Sequence, residues 1–400
     1  MVVPLGSPQP VFALPLLEDI PDDLADRPVD GPPFKDIGPL GLPQIIFGAA
    51  TFSGSYNSEA TIASDVPVRT VRLALRYGIR AFDTSPYYGP SEIVLGTALK
   101  VLEPILPRSS YKLMTKCGRY GLTQSEFDYS PETIRKSVER SLKRLHTTYL
   151  DTVYLHDVEF VCTPVGPLEA GNPESALFEK SAEYGLAAGQ EGKVWGEGDQ
   201  KILDAYAELR RLQEEGKIKH IGITGYTLST LLRLALLVLH TPPYRPLDAL
   251  LSYCHLSLNN STFATYAKPL RERAKVTQLV TASPLSMGLL TPTPPPWHPA
   301  PAELKEAAKD ANRLVEDAGW EGGLPNLAIG YGFRKGQETD LPVVVGLSSP
   351  REVHESVRAW RTIQKGTDEG QRVVLEDKVI RTFGSSLNLS WASPPEELRV

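Results

Sequence analysis

Several short apolar segments in this chain are each followed by a polar residue suited to proton transfer. These residues are Asp83, Lys116, His156 and Thr224, and Tyr87 and Tyr88 follow Asp83 closely. A lysine ammonium close to a phenol favours the phenolate and lowers the tyrosine pKa. An aspartate that holds the lysine, and a histidine that hydrogen-bonds to the reacting oxygen, would let the tyrosine exchange a proton with a carbonyl or an alcohol.

Each of these residues alone has an ordinary structural explanation. An aspartate after a strand is most often a turn residue or a helix cap. A lysine at a strand end is usually solvated, and His156 and Asp157 could form only a local polar pair. Their occurrence at successive segment ends is what favours a shared site. The hypothesis therefore depends on a fold that brings these ends together.

Other chemistries lack their sequence patterns. No GxGxxG follows a predicted strand, which argues against a Rossmann dinucleotide site. The chain has no GxxxxGK[ST], HExxH or GxSxG motif, and its seven histidines form no i, i+4 pair on a predicted helix, so we expect no metal site. The net charge of −6 argues against a nucleic-acid partner.

The composition is that of a globular protein of a reducing compartment. Hydrophobic residues make up 41% of the 400 residues and charged residues 22%, which is near globular averages. The three cysteines have no CxxC spacing and form no disulfide framework. No apolar stretch approaches the ~18 residues of a membrane-spanning helix. We therefore expect a cytoplasmic protein with no membrane partner.

Strands and helices are predicted to alternate along most of the chain. The predicted strands are Ile45–Ala49, Ile79–Asp83, Tyr111–Lys116, Leu150–His156, Ile218–Thr224, Leu247–Cys254, Thr277–Ser283 and Leu341–Leu347. The predicted helices are Val66–Tyr77, Ser91–Leu106, one that begins at Ser130-Pro131, Ile202–Glu215, Leu228–Leu239, Ser261–Ala274, Ala302–Ala318, Asn326–Arg334 and Pro350–Trp360. Eight such units favour a closed (β/α)8 barrel, in which chemistry lies at the carboxyl ends of the strands. An open doubly wound sheet is the alternative with the same alternation.

The predicted barrel occupies the middle of the chain. Residues 1–43 are rich in Pro, Gly and Asp and form an N-terminal extension, residues 44–365 form the barrel, and residues 366–400 form a C-terminal extension. Residues 157–199 have weak periodicity and form a long insertion after the fourth strand. The insertion starts beside His156, so it could be a lid or side wall of the site. The other interpretation is a surface insertion without order.

The ordered motifs resemble the signature of the aldo-keto reductase family. The segment 83–89 (DTSPYYG) is similar to the family signature, as are segments 115–116, 155–157, 216–223 and 283–285. The resemblance runs from about residue 44 to residue 360. It implies a (β/α)8 barrel that binds NAD(P)H without a Rossmann fold. It also implies a catalytic tetrad of Asp83, Tyr88, Lys116 and His156, with Tyr88 preferred over Tyr87 because it directly precedes Gly89.

A narrower resemblance concerns the substrate. Segments 221–225, 252–255, 259–262, 282–291 and 297–300 resemble a branch of the family that oxidises the C1 hydroxyl of cyclic aldoses to lactones. That branch implies a sugar substrate of the D-arabinose or L-galactose type. The alternatives are a general NADPH-dependent aldehyde or ketone reductase, and a cofactor-binding regulatory subunit without catalysis. The complete tetrad speaks against the last alternative.

The resemblance also implies residues that bind the cofactor. These are Thr224, Ser283 and Leu285, and, after the eighth strand, Gly346, Ser348, Ser349, Arg351 and Glu355. Ala282 stands where many relatives have an aromatic ring against the nicotinamide. Glu352 stands where NADP-selective members usually have arginine, and a carboxylate repels a 2′-phosphate but accepts a hydrogen bond from a ribose 2′-OH. We therefore predict NAD as the preferred cofactor, with NADP possible if Arg351 turned inward.

Overall fold

Eight parallel strands form a closed barrel in the computed structural model, which describes Ala13 and residues 15–166 and 173–391. A two-residue antiparallel pair, β1 (Asp36–Ile37) and β2 (Leu42–Pro43), precedes the barrel. The barrel strands are β3 (Ile45–Gly48), β4 (Ala81–Asp83), β5 (Lys112–Cys117), β6 (Leu150–Leu155), β7 (Ile218–Gly225), β8 (Ala249–Tyr253), β9 (Gln278–Ala282) and β10 (Val343–Gly346). Strand β10 pairs with both β9 and β3, so the predicted barrel is confirmed and the open sheet is wrong.

Helices follow the strands and cover the outside of the barrel. They are α1 (Glu59–Ile62), α2 (Val66–Tyr77), α3 (Ser91–Leu102), α4 (Pro131–Arg144), α5 (Glu197–Glu214), α6 (Leu228–Leu239), α7 (Thr262–Glu272), α8 (Ala302–Asp317), α9 (Gly323–Thr339), α10 (Pro350–Lys365) and α11 (Glu369–Thr382). Helix α2 has Pro67 in its first turn and ends at Gly78, whose φ of 93° is a left-handed cap that glycine adopts without strain. Neither the short α1 nor α11 was predicted from the sequence.

Alternation along each strand separates two apolar layers. Inward-facing side chains fill the barrel interior and form one cluster, which contains Leu42, Ile46, Ala81, Met114, Tyr154, Ala249, Leu251, Val280 and Val344. The neighbouring residues Ile45 and Phe47 belong to the larger cluster between strands and helices. The turn between β1 and β2 closes the amino end of the barrel, where Lys112 Nζ donates to the Gly41 carbonyl at 2.6 Å. The carboxyl end of the strands, at the opposite side of the barrel, is therefore the end at which the predicted site residues lie.

The described parts of the extensions and of the insertion pack against the barrel and its helices. In the N-terminal extension, Asp22 and Asp26 pair with arginines of α2. In the predicted insertion, Asp199 pairs with Arg233 of α6 at 2.7 Å and accepts from Thr163 N. After α11, residues 387–391 return to the carboxyl end of the strands, where Asn388 N donates to the Asn259 carbonyl and the Trp391 ring stacks on Tyr226. Residues 1–12, 14, 167–172 and 392–400 of these three predicted segments lie outside the described residues.

Among the helices of the described ranges, none has the combination of length and apolar character that a membrane crossing requires.

Candidate active site

The carboxyl ends of β4 and β5 bring an aspartate and a lysine into a buried ion pair. Lys116 Nζ donates to Asp83 Oδ1 at 2.6 Å and to the Thr84 carbonyl at 3.0 Å. The ammonium side chain is 2% exposed and the carboxylate side chain 7%. Burial raises the pKa of Asp83, and Lys116 opposes that rise. Asp83 Oδ2 has no hydrogen-bond partner among the described residues, so the side-chain hydrogen bonding of this carboxylate goes to Lys116 through Oδ1.

Tyr88 lies beside this pair in the loop after β4. Its ring centroid is 4.8 Å from Lys116 Nζ and 5.7 Å from the His156 ring, which it meets edge to face. Burial raises the pKa of Tyr88 to about 12, and Lys116 opposes this rise. The expectation of a lowered tyrosine pKa is therefore wrong, because the loss of hydration of a buried phenolate outweighs the attraction of the ammonium.

The neighbouring Tyr87 has a different partner. Its Oη accepts a hydrogen bond from Arg119 Nη2 at 3.0 Å, and the guanidinium carbon lies 3.7 Å from its ring centroid. Tyr87 is also 5.6 Å from the His156 ring, so distance to the histidine does not separate the two tyrosines. The lysine separates them, because Lys116 acts on the pKa of Tyr88, whereas Arg119 acts on that of Tyr87.

His156 is held at the end of β6 in one tautomer. Ser85 Oγ lies 2.9 Å from His156 Nδ1 and accepts a hydrogen bond from Tyr87 N at 3.1 Å. Donation of the Ser85 hydroxyl proton to Nδ1 satisfies every group in this buried chain and leaves the histidine proton on Nε2. Burial, Lys116 and Arg119 all lower the pKa of His156, so the ring is neutral. A neutral ring with a proton on Nε2 can donate to a substrate oxygen.

A second buried ion pair lies beside His156 and was not predicted as part of the site. Arg119, two residues after β5, pairs through Nη1 with Asp157 Oδ2. Asp157 directly follows His156 and has a left-handed φ of 53°. Burial raises the pKa of Asp157, while Arg119, Lys116 and the Tyr253 hydroxyl oppose that rise. The sequence offered only the adjacency of His156 and Asp157, because no local pattern links position 157 to position 119.

The predicted cofactor residues fall into two groups. Thr224 lies at the end of β7, where its Oγ1 is buried and has no hydrogen-bond partner among the described residues. Gly346, the last residue of β10, is exposed although the three preceding residues of that strand are buried. Ser283 has a left-handed φ of 60° immediately after β9, and Leu285 lies two residues further in the same turn. An unsatisfied hydroxyl and an open strand end fit the bound nicotinamide nucleotide that the sequence predicts.

The second group lies at the start of α10. Ser349 Oγ caps the helix by accepting from Glu352 N at 3.3 Å, and Ser348 N donates to Glu352 Oε2 at 2.5 Å. Arg351 is 85% exposed and donates to Glu355 Oε1 at 2.7 Å. The structure therefore places Glu352 toward the backbone of residues 348–349, and directs Arg351 and Glu355 to one another on the solvent side.

Comparison with known proteins identifies the family of this chain. The profile of the Aldo/keto reductase family matches residues 44–374. The chain belongs to this family. It is 36% identical to the L-galactose dehydrogenase of Arabidopsis thaliana over 358 residues, which cover 88% of this chain and 94% of that protein. It is 34% identical to the D-arabinose 1-dehydrogenase of Saccharomyces cerevisiae over 370 residues, which cover 90% of this chain and 97% of that protein.

Solved structures show the same fold at much lower sequence identity. An aldo-keto reductase from Bacillus halodurans superposes with a TM-score of 0.56 at 19% identity, covering 92% of this chain and 99% of its own. A glycerol dehydrogenase from Gluconobacter oxydans gives a TM-score of 0.54 at 17% identity, covering 88% of this chain and 96% of its own. These two structures support the fold of this chain.

Proposed function

We propose that this aldo-keto reductase oxidises the C1 hydroxyl of a cyclic aldose, of the D-arabinose or L-galactose type, to the lactone. The observation that carries the proposal is the convergence of Asp83, Lys116, Tyr88 and His156 at one end of the barrel. The two sugar dehydrogenases to which the chain is similar over most of its length support the substrate class. A nicotinamide nucleotide, when bound, would accept the hydride that leaves C1.

Tyr88 is the proposed proton acceptor. Its phenolate would take the proton of the C1 hydroxyl, and general-base catalysis of this kind typically contributes ~10²–10⁴-fold. Burial makes that phenolate costly, so Lys116 is needed to stabilise it. Asp83 holds Lys116 at 2.6 Å and keeps the ammonium charged, since Asp83 raises the pKa of Lys116 against the effect of burial.

His156 is the proposed group that orients the substrate. Its Nε2 proton would be donated to the C1 oxygen, and Ser85 keeps that proton on Nε2. Because Nε2 already carries a proton and burial lowers the pKa of the ring, His156 does not take the substrate proton in place of Tyr88. The oxidised C1 already belongs to the sugar ring, so its oxidation gives a lactone directly.

We further propose that NAD⁺ is preferred over NADP⁺. Thr224 would bind the nicotinamide end, and the segment Gly346–Ser349 with the start of α10 would bind the adenosine end. Helix N-termini favour anions, but here the Glu352 carboxylate already accepts from Ser348 N. A 2′-phosphate would meet this negative charge, and Arg351 faces away from it. Dissociation constants for both nucleotides measure the preference, and tenfold tighter binding of NADP⁺ would refute it.

The experiment for the function compares substrates. Purified protein is given D-arabinose or L-galactose with NAD⁺, the reduced nicotinamide is followed by absorbance, and the lactone is identified by mass spectrometry. We expect turnover of at least one sugar with kcat/KM far above that for reduction of simple aldehydes with NADPH. Inactivity on both sugars, together with rapid NADPH-dependent reduction of simple aldehydes, would instead identify a general carbonyl reductase.

A further inference from the structure

The buried pair of Arg119 and Asp157 is not needed for the proton transfer described above, yet it lies against the same histidine. Asp157 Oδ2 is 3.7 Å from His156 Nε2, the nitrogen assigned to the C1 oxygen. The Asp157 side chain is 1% exposed and that of Arg119 is 11%. A buried charged pair this close to the reacting atoms either stabilises the fold or takes part in binding the substrate.

The Asp157 carboxylate is only partly satisfied. Arg119 binds Oδ2, and the Tyr253 hydroxyl lies close enough to lower the pKa of the carboxyl, while Oδ1 is buried and makes no hydrogen bond among the described residues. A buried carboxylate oxygen left in this state is costly, and most buried polar atoms have a partner. The φ of 53° at Asp157 adds strain, which in folded proteins is concentrated at functional sites. Both observations favour an acceptor that is completed by a ligand.

Arg119 is fixed in a way that leaves donors for a ligand. It makes three hydrogen bonds to described groups, namely the Asp157 carboxylate, the Gly121 carbonyl and Tyr87 Oη. A guanidinium has five N–H groups, so further donors remain. The rings of Tyr87, Phe127 and Phe160 surround the guanidinium at 3.7 to 5.2 Å. The pair is therefore a rigid acceptor with neighbouring donors.

The position of the carboxylate selects which sugar hydroxyl it meets. If O1 bonds to His156 Nε2, the hydroxyl on the adjacent carbon lies within reach of the same carboxylate group, whose Oδ2 is 3.7 Å from Nε2. A carboxylate only accepts hydrogen bonds, and a hydroxyl can donate one. A substrate without that hydroxyl would leave Asp157 Oδ1 unsatisfied, which is the condition under which a binding site discriminates strongly.

We propose that Asp157, held by Arg119, accepts a hydrogen bond from the C2 hydroxyl of the aldose and thereby selects 2-hydroxy aldoses over deoxy sugars and simple aldehydes. This inference rests on the proposed function and specifies its substrate class. It makes Asp157 a specificity-determining residue beside the tetrad.

The test is a cycle between one hydroxyl of the substrate and one carboxylate of the enzyme. The substrates are D-arabinose and 2-deoxy-D-ribose, which is D-arabinose without its C2 hydroxyl, and the enzymes are the wild type and Asp157→Asn. In the wild type we expect kcat/KM to fall about 10- to 100-fold on loss of the hydroxyl, the range for a hydrogen bond to a charged group. In Asp157→Asn the same substrate change should cost only about 2- to 10-fold, the range for a hydrogen bond to a neutral group.

Asp128→Asn is the matched control, because it makes the same chemical change at an exposed carboxylate. That carboxylate accepts hydrogen bonds from Ser130 N and from the Thr133 hydroxyl. It should preserve the wild-type ratio between the two sugars. Thermal unfolding and NAD⁺ binding report whether Asp157→Asn is folded. If it is not, the double variant Arg119→Met/Asp157→Asn removes both charges together and leaves no buried charge unpaired.

The outcomes separate the two hypotheses. If both the wild type and the folded Asp157 variant oxidise D-arabinose, and the ratio of kcat/KM between the two sugars is equal in both enzymes, this inference is overturned and the proposed function stays intact. A wild type that oxidises neither D-arabinose nor L-galactose would overturn both. The inference is supported if the ratio of kcat/KM for D-arabinose to that for 2-deoxy-D-ribose falls in the Asp157 variant and not in the Asp128 control.

Discussion

Replacing Lys116 with methionine tests the role of the ammonium in proton transfer. The substitution keeps the length and apolar stem of the side chain and removes its charge. Below the Tyr88 pKa, the fraction of phenolate rises tenfold with each pH unit, so the rate of alcohol oxidation should rise with pH. The folded protein already holds this pKa at about 12 through burial, and loss of Lys116 should raise it further. The variant should therefore need a higher pH than the wild type for the same rate.

The size of the effect follows from the geometry. A unit charge at the 4.8 Å that separates Lys116 Nζ from the Tyr88 ring centroid is worth about 3 kcal/mol at an effective dielectric constant of ~20, or about two pKa units. Asp83 offsets part of this loss. Without Lys116 its buried carboxylate would take up a proton, because burial already raises its pKa, and its repulsion of the phenolate would disappear. We expect a net shift of about one to two units, or a 10- to 100-fold loss of kcat/KM at a fixed pH.

The assay is the pH dependence of kcat/KM for oxidation of D-arabinose or L-galactose. Lys112→Met is the matched control, since Lys112 lies on the same strand and donates to Gly41 at the opposite end of the barrel. Its profile should follow that of the wild type. Thermal unfolding separates lost activity from lost folding, because breaking a buried pair destabilises a protein by about 3–5 kcal/mol. A folded Lys116→Met enzyme with the wild-type pH profile would refute the role of the pair.

Three further substitutions test the other groups. Tyr88→Phe should lose ~10²–10⁴-fold in kcat and keep NAD⁺ binding. If instead Tyr87→Phe is inactive and Tyr88→Phe has near-normal kcat, the proton acceptor is Tyr87. Ser85→Ala should release the His156 tautomer and lower kcat more than it raises KM, and ¹⁵N shifts of the imidazole nitrogens should show the change; unchanged shifts would contradict it. Thr224→Val should weaken NAD⁺ binding about tenfold, and an unchanged dissociation constant would exclude a contact.

The parts of the fold that depend on local pattern were predicted from the sequence. Helix α2 matches its predicted bounds because an apolar stripe, Pro67 and the cap at Gly78 all act within the helix itself. Asp83, Lys116 and His156 were found because parallel strands in a barrel end at the same face, so a residue after each strand is placed by topology. Tyr88 could be distinguished from Tyr87 only through its family resemblance, and the structure adds a contact for each.

What was missed depends on contacts between distant residues. Helix α9 extends beyond its predicted end at Arg334 through Gly336, a residue type that disfavours helix but here allows close packing; a Cβ at Gly336 would lie 2.7 Å from the Leu341 carbonyl oxygen. Arg119 and Asp157 are 38 residues apart and lie on different strand ends. The raised pKa of Tyr88 could not be predicted either, since residue types indicate the sign of the lysine's effect but not the extent of burial that opposes it.

The two ion pairs flank one histidine, and their charges add to burial in keeping it neutral. Burial, and after it Lys116 and Arg119, lower the pKa of His156, so a proton on Nδ1 in addition to Nε2 is disfavoured. Each cation has its own carboxylate, Asp83 or Asp157, so the site gains two positive groups without a net positive charge. The first pair acts on the phenol that we propose as the proton acceptor, and the second presents an unsatisfied oxygen beside it. This division separates reactivity from recognition, so substitutions at Asp157 should change which sugar is oxidised, whereas substitutions at Lys116 should change the pH at which any sugar is oxidised.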